Sequence, residues 1–127
     1  MKGYLENHIN HELKINYNIL IGAVDLNMLL EYLENLVESS EYKDNYNILV
    51  DIREAEMPDF LARMDEFINF FKASSGAINW SRKCAILTSK VDHVVISELL
   101  RYRMENLHFH MRVQVFSTRE GALFWLI

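Results

Sequence analysis

Short apolar runs alternate along this chain with longer segments whose apolar residues recur at helical spacing. The run at residues 46–52 is apolar at most positions, which is typical of a parallel strand covered on both faces. Before it, Asp25 is a good N-cap for a helix whose leucines form one apolar stripe between Leu26 and Leu36. Strands that alternate with helices in this way indicate βαβ units, so the sequence predicts an α/β fold.

The first 24 residues predict an antiparallel strand pair, roughly residues 3–7 and 12–21. Alternation in the second strand predicts one apolar and one polar face. The apolar face is formed by Leu13, Ile15, Tyr17 and Ile19, and the polar face by Lys14, Asn16 and Asn18. The remaining predicted elements are strands at 46–52, 84–88 and 112–116 and helices at about 58–71, 89–107 and 117–127. Together these elements predict a mixed, mostly parallel sheet of about five strands with about four helices, in the order ββαβαβαβα.

Length and composition limit the classes of protein that fit. A chain of 127 residues with 50% apolar and 24% charged residues fits one folded domain over residues 1–127. The net charge of −5 repels phosphate backbones, so we expect no nucleic-acid partner. We also expect no membrane span and no secretory signal, because no apolar run approaches about 18 residues and the first residues lack an apolar region. The single cysteine, Cys84, reads as a core residue and fits a cytoplasmic location.

Residues 46–53, 83–89 and 113–126 carry a family signal beyond their secondary structure. The last segment is the most informative, because a strand is followed there by a helix of the form Glu-x-Ala-x-x-Trp-Leu, from Glu120 to Leu126. These segments resemble the STAS domain family (sulfate transporter and anti-sigma-factor antagonist), particularly its small stand-alone bacterial members. The resemblance covers nearly the whole chain from about Glu12.

The resemblance implies a mixed sheet with helices packed on it and a role in protein–protein or small-ligand binding. Phosphorylated members of the family carry an Asp-Ser pair at the start of the helix that follows the Val-x-Asp strand. The matching region of this chain is residues 56–60, which contain no Ser or Thr. The phosphorylation switch of the family is therefore not expected here.

Patterns that would indicate catalysis or a metal site are weak. The pairs His8/His11 and His108/His110 fall short of the three or four supported ligands of a zinc site. Ser89, Asp92 and His93 would share one helical turn, which is the wrong geometry for a nucleophile and its base. The acidic residues Asp51, Glu54, Glu56 and Asp59 could do acid–base chemistry, although a solvated loop explains them more simply. We therefore expect no enzyme, no metal and no cofactor.

Polar residues follow several predicted strands at their carboxyl ends, where ligands bind in open α/β sheets. These candidate ligand-binding or anion-binding residues are Arg53, Thr88, Ser89, Lys90, Thr118 and Arg119. The turn at residues 88–90 opens a helix, so free amides and the positive end of the helix dipole could receive an anion. Helix capping by Ser89 with Asp92, and by Ser117 with Glu120, is the alternative explanation for part of this set.

The second and third predicted helices carry more apolar surface than packing on one sheet face requires. The candidate interface residues in this excess are Phe67, Phe70, Ile96, Leu100 and Met104. On the third helix, Val95, Leu99 and Tyr102 form a second apolar stripe beside the stripe that contains Leu100. Core packing, a homodimer or protein partner, and an apolar ligand groove between the two helices all remain open explanations.

The sequence therefore predicts a non-enzymatic STAS-like binding module that is regulatory through protein–protein contacts, with a protein partner or a second copy of itself. The alternative is a carrier or sensor of a lipid or another apolar small molecule.

Overall fold

The computed structural model describes residues 2–127 and confirms the predicted order ββαβαβαβα. The strands are β1 (Tyr4–Asn10), β2 (Ile15–Ala23), β3 (Asn47–Glu56), β4 (Lys83–Leu87) and β5 (Arg112–Phe116). The helices are α1 (Leu26–Glu38), α2 (Met64–Ser74), α3 (Val91–Glu105) and α4 (Arg119–Leu126). The predicted mixed sheet of five strands with four helices is thus correct within the described residues.

The five strands lie side by side in their sequence order, β1-β2-β3-β4-β5. The first pair is antiparallel, and the other three neighbouring pairs are parallel. Connections between parallel strands are right-handed, and each crossover in this sheet leads to the next strand on the same side. All three crossover helices therefore lie on the same face. The carboxyl ends of β2 to β5 consequently share one edge of the sheet.

Apolar side chains pack on both faces of the sheet, but unequally. The large cluster joins α1, α2 and α3 to one face, through residues such as Leu29, Phe71 and Met104. The small cluster lies on the opposite face, where Ala122 and Leu126 of α4 cover the middle strands. We call these the three-helix face and the α4 face.

The first residues of α1 and α2 show which local sequence signals were sufficient to predict where a helix begins. Asp25 caps α1 as predicted, since its carboxylate accepts a hydrogen bond of 2.8 Å from the Met28 amide. The predicted start of the second helix at Pro58 is wrong, because β3 continues to Glu56 and α2 begins only at Met64. Between them, Asp59 accepts a hydrogen bond from the Leu26 amide and holds this turn against the start of α1.

Arg82, directly before β4, fastens the loops at the amino end of the sheet. Its buried guanidinium donates hydrogen bonds to the backbone oxygens of Tyr46 and Asn79, at 3.2 and 3.1 Å. The same group lies over the aromatic rings of Tyr42 and Trp80, 5.4 and 5.1 Å from their centroids. One cation therefore ties the segment before β3 to the segment before β4.

We expect Arg82→Met to lower the free energy of unfolding by about 1–3 kcal/mol, because it removes a charged donor from carbonyl groups that then lack it. Methionine retains an apolar stem, so the loss reports on the hydrogen bonds rather than on packing. Arg112→Met on the exposed side of β5 is the matched control and should change stability by less than about 0.5 kcal/mol. Urea unfolding measures both, and equal effects would contradict the role given to Arg82.

Candidate functional site

A cavity of about 120 Å³ lies between the three-helix face of the sheet and the helices that cover it. The side chains of Ile48 and Val50 on β3 and of Cys84 and Ile86 on β4 form its floor. Register places these residues in two rows across the sheet, since Ile48 pairs with Cys84 and Val50 pairs with Ile86. Side chains from all three helices, among them Leu33, Phe67 and Ile96, form the opposite wall.

The two faces of the central strand β3 differ in how tightly they are covered. Leu49 on the α4 face is only 2% exposed, although α4, the helix on that face, has only eight residues. Ile48 and Val50 face three longer helices and are nevertheless only half-buried. Central-strand residues under helices are normally close-packed, so the incomplete burial locates open space in the core.

The cavity is almost wholly apolar, and Cys84 belongs to that apolar lining. Burial raises the pKa of the Cys84 thiol to about 12, so the group is uncharged at neutral pH. A neutral buried thiol behaves as a small apolar side chain rather than as a nucleophile. Its position on β4 and its burial agree with the predicted core role.

Polar groups reach the cavity from β2 through a network of asparagines. Asn18 donates from Nδ2 to the backbone oxygens of Asn16 and Leu49, at 3.2 and 3.3 Å. Its Oδ1 accepts hydrogen bonds from Asn7 Nδ2, at 3.1 Å, and from the Tyr32 hydroxyl. The predicted alternation of β2 is therefore present, but its polar face is buried under α1 instead of facing water.

Three buried polar atoms on residues of the cavity wall have no hydrogen-bonding partner within residues 2–127. They are Nδ2 of Asn16, the hydroxyl of Tyr42 and Nδ1 of His93. Asn16 is only 1% exposed, and leaving a buried donor unpaired costs about 1–3 kcal/mol. Burial raises the pKa of Tyr42 to about 12, so its hydroxyl keeps its proton and remains a donor at neutral pH.

The residues predicted to bind an anion fall into two separate groups. Beside the three-helix face, Lys90 Nζ donates to the Ala55 carbonyl oxygen at 2.8 Å and pairs with Glu56. Thr88 is buried, and its hydroxyl oxygen accepts from the Lys90 amide at 3.3 Å. The predicted cap by Ser89 is wrong, because Lys90 occupies the N-cap position of α3 without a side-chain bond.

The second group lies at the α4 face. The Arg53 guanidinium binds the Asp51 carboxylate in two hydrogen bonds, and Arg119 stacks on the Tyr17 ring at 5.3 Å. Burial alone would raise the pKa of Asp51, but the hydrogen bonds from Arg53 outweigh it and lower that pKa. Thr118 caps α4 by accepting from the Gly121 amide. These contacts already engage most of the predicted cations, and anion binding here stays a prediction.

The structure corrects the predicted interface residues. Leu100 and Met104 are covered within the chain, at 8% and 1% exposure, because this stripe of α3 faces the sheet. Phe67, Phe70 and Ile96 are half-buried and pack against the large cluster. The exposed apolar stripe of α3 is the neighbouring one, formed by Val91, Val95, Leu99 and Tyr102.

Residues 2–127 contain neither a cluster of metal ligands nor a membrane-spanning helix. In that part of the chain, no three side chains among His, Cys, Asp and Glu converge on a point where they could hold a metal ion. None of the helices found there combines the length and the apolar character that crossing a bilayer requires.

Comparison with known proteins shows a likeness in fold to a solved structure. No family model and no curated protein sequence matches this chain. Among solved structures, the chain is similar to an uncharacterized protein of the DUF3478 family with a SpoIIAA-like fold from Shewanella loihica, with a TM-score of 0.69. The alignment covers 100% of this chain and 97% of that chain at 15% sequence identity.

This chain has a SpoIIAA-like fold. The expected STAS-like architecture is therefore confirmed, since the SpoIIAA-like fold is the STAS-like fold. At 15% identity the likeness concerns the fold alone, and the features of the cavity must be argued from this chain.

The sequence reasoning missed Asn16, Asn18, Tyr32 and Tyr42 as candidate functional residues. A signal for the two asparagines was present, because a strand with a neighbour on each side and helices above has no solvated face. Two asparagines in such a strand predict a buried polar network. No sequence pattern indicated that Tyr42 would line the cavity, because Tyr42 lies in a loop whose path depends on Arg82 and Trp80.

Proposed function

We propose that this domain binds a small apolar molecule in the cavity of the three-helix face and acts as a sensor or carrier of it, without catalysis. The observation that carries the proposal is the incomplete burial of Ile48 and Val50 beneath three helices. Pockets for small molecules are typically apolar, with a few polar groups that fix orientation. The cavity has this composition, with Asn16, Tyr42 and His93 among its polar lining residues.

The volume of the cavity indicates the size of the ligand. A cavity of about 150 Å³ lined by Leu, Ile and Phe stays dry and admits benzene or xenon in a well-studied lysozyme variant. The cavity of about 120 Å³ in this domain is comparable. We infer a ligand, or the inserted part of a ligand, of roughly six to nine non-hydrogen atoms. A long lipid would have to leave part of its chain outside or move the helices.

Ethylbenzene is a suitable probe, because it is apolar and has the inferred size. We expect it to stabilise the domain by about 1.4 kcal/mol at tenfold its dissociation constant, as any ligand specific for the folded state does. Val50→Phe should fill the cavity and weaken ethylbenzene binding at least about tenfold, while leaving the domain folded. Thermal unfolding with and without ethylbenzene, together with ligand-detected NMR, measures both effects.

Val95→Phe provides the matched control, because it makes the same substitution at an exposed position of α3. Ethylbenzene should bind this variant as it binds the unaltered domain. Equal binding to the Val50→Phe and Val95→Phe variants would show that the ligand sits elsewhere. No stabilisation of the unaltered domain by any probe of this size would contradict the proposal.

A second candidate function is regulatory contact with a protein partner or with a second copy of this chain. The supporting observation is the exposed apolar stripe of α3, where Val91 and Tyr102 are 81% and 67% exposed. These positions recur at helical spacing, as in a helix face that docks on another protein. Protein contact through this stripe replaces the predicted one through Leu100 and Met104.

Light scattering after size exclusion tests the self-association form of this candidate. We expect a species of twice 15.0 kDa at high micromolar concentration, which Val95→Glu converts to monomer by placing a charge in the apolar stripe. Glu105→Asp, a charge-preserving change on the same helix, should leave the mass unchanged. A monomer at all concentrations would contradict the dimer.

A further inference from the structure

The unpaired amide of Asn16 has an orientation that its neighbours determine. Asn18 Nδ2 donates to two backbone carbonyl oxygens, so its Oδ1 must be the atom that faces Asn7. Asn7 Nδ2 lies 3.1 Å from that oxygen and 3.1 Å from the Tyr17 carbonyl oxygen, so the nitrogen of Asn7 faces β2. Its two protons serve three oxygens, because Asn16 Oδ1 also lies within hydrogen-bonding distance and shares one of them. Asn16 must therefore present Oδ1 to Asn7, as the structure shows. The Nδ2 group of Asn16 cannot exchange places with Oδ1 without losing that bond.

A donor fixed in this way can be satisfied only by an acceptor. Asn16 Nδ2 has no acceptor among the protein atoms of residues 2–127, and Asn16 is one of the residues that line the cavity. Register places Asn16 opposite Ile48, in the row of the cavity floor nearest the amino ends of the parallel strands. A buried network that is complete except for one donor suits a site where a ligand supplies the missing group.

Tyr42 adds a second donor to the same end of the cavity. Its ring contacts Trp80 and Arg82, which lie immediately before β4, and its side chain lines the cavity. Its hydroxyl is also buried without a hydrogen-bonding partner in the described part of the chain. Because burial keeps the phenol protonated, the hydroxyl offers a proton to any acceptor that enters.

We propose that the ligand carries a carbonyl or carboxyl oxygen on its apolar body, and that Asn16 Nδ2 and the Tyr42 hydroxyl receive this oxygen. This inference rests on the proposed function, because it assigns the chemical class of the molecule that the cavity binds. Two donors without acceptors select against pure hydrocarbons and against ligands whose only polar group is a donor. The rest of the lining requires the remainder of the ligand to be apolar.

The test compares ethylbenzene with acetophenone, which has the same carbon skeleton and one added carbonyl oxygen. The measured quantity is the ratio of the ethylbenzene to the acetophenone dissociation constant, by calorimetry or ligand-detected NMR. We expect Tyr42→Phe and Asn16→Leu each to lower this ratio about fivefold or more, as loss of one hydrogen bond predicts. Benzoate in place of acetophenone repeats the comparison for a carboxylate, and a fall in either ratio supports the proposal.

Tyr4→Phe is the control, because it removes the same hydroxyl from an exposed position of β1. Its ratio should equal that of the unaltered domain. If Asn16→Leu fails to fold, Tyr42→Phe decides, since it removes one hydroxyl and keeps the ring that packs beside Trp80 and Arg82. Unchanged ratios in Tyr42→Phe for both acceptors, with ethylbenzene still bound, would overturn this inference and leave the proposed function standing. Failure of ethylbenzene, acetophenone and benzoate alike to bind the unaltered domain would overturn both.

Discussion

The right-handed crossover between neighbouring parallel strands determines most of this structure. With β2 to β5 in sequence order, each crossover places its helix on the same face of the sheet, so α1, α2 and α3 share one side. Among residues 2–127, the other side receives only α4, which follows the last strand. The two faces of the sheet are therefore covered by different numbers of helices. The short helix with Ala122 and Leu126 packs closely on one face, while the three longer helices leave a cavity on the other.

The open space in the core is consistent with this arrangement. Close packing normally removes voids larger than a water molecule, because a lining atom without a partner loses its dispersion contacts. A cavity beneath three helices, lined by Ile48 and Val50 on its floor, therefore lowers stability. The unpaired donors of Asn16 and Tyr42 add to that cost. Features that reduce stability and lie together are typical of functional sites, where a ligand recovers what the empty protein lacks.

Local signals made the architecture predictable from the sequence. The apolar run of β3 and the cap at Asp25 depend on neighbouring residues, and both are present in the structure. The order of the elements and the final helix followed from the same local patterns, and the STAS-like resemblance rested partly on that order. The helical stripes of α3 were recognised, but periodicity alone does not say which of two adjacent stripes faces the sheet. Contact with the sheet selected Leu100 and Met104, so the exposed stripe is the one that contains Val95.

The candidate site depended on contacts that no local pattern encodes. The burial of Asn16 follows from the position of β2 between two strands and beneath α1, and Tyr42 is placed by Arg82 and Trp80 from a distant segment. The sequence predicted ligand-binding residues in the polar turns at the carboxyl edge of the sheet, whereas the unpaired donors lie in the core. Residues 56–60 contain no Ser or Thr, where phosphorylated STAS domains carry an Asp-Ser pair.

The three-helix face encloses space that an apolar atom can enter, while the α4 face is closely packed. Xenon is apolar, needs no hydrogen bond and is readily located in crystals under gas pressure. We expect xenon density between the helices and the side chains of Ile48 and Val50, and none beneath α4. The absence of xenon from that space, or its appearance only between α4 and Leu49, would show that the core of the three-helix face is closed to ligands.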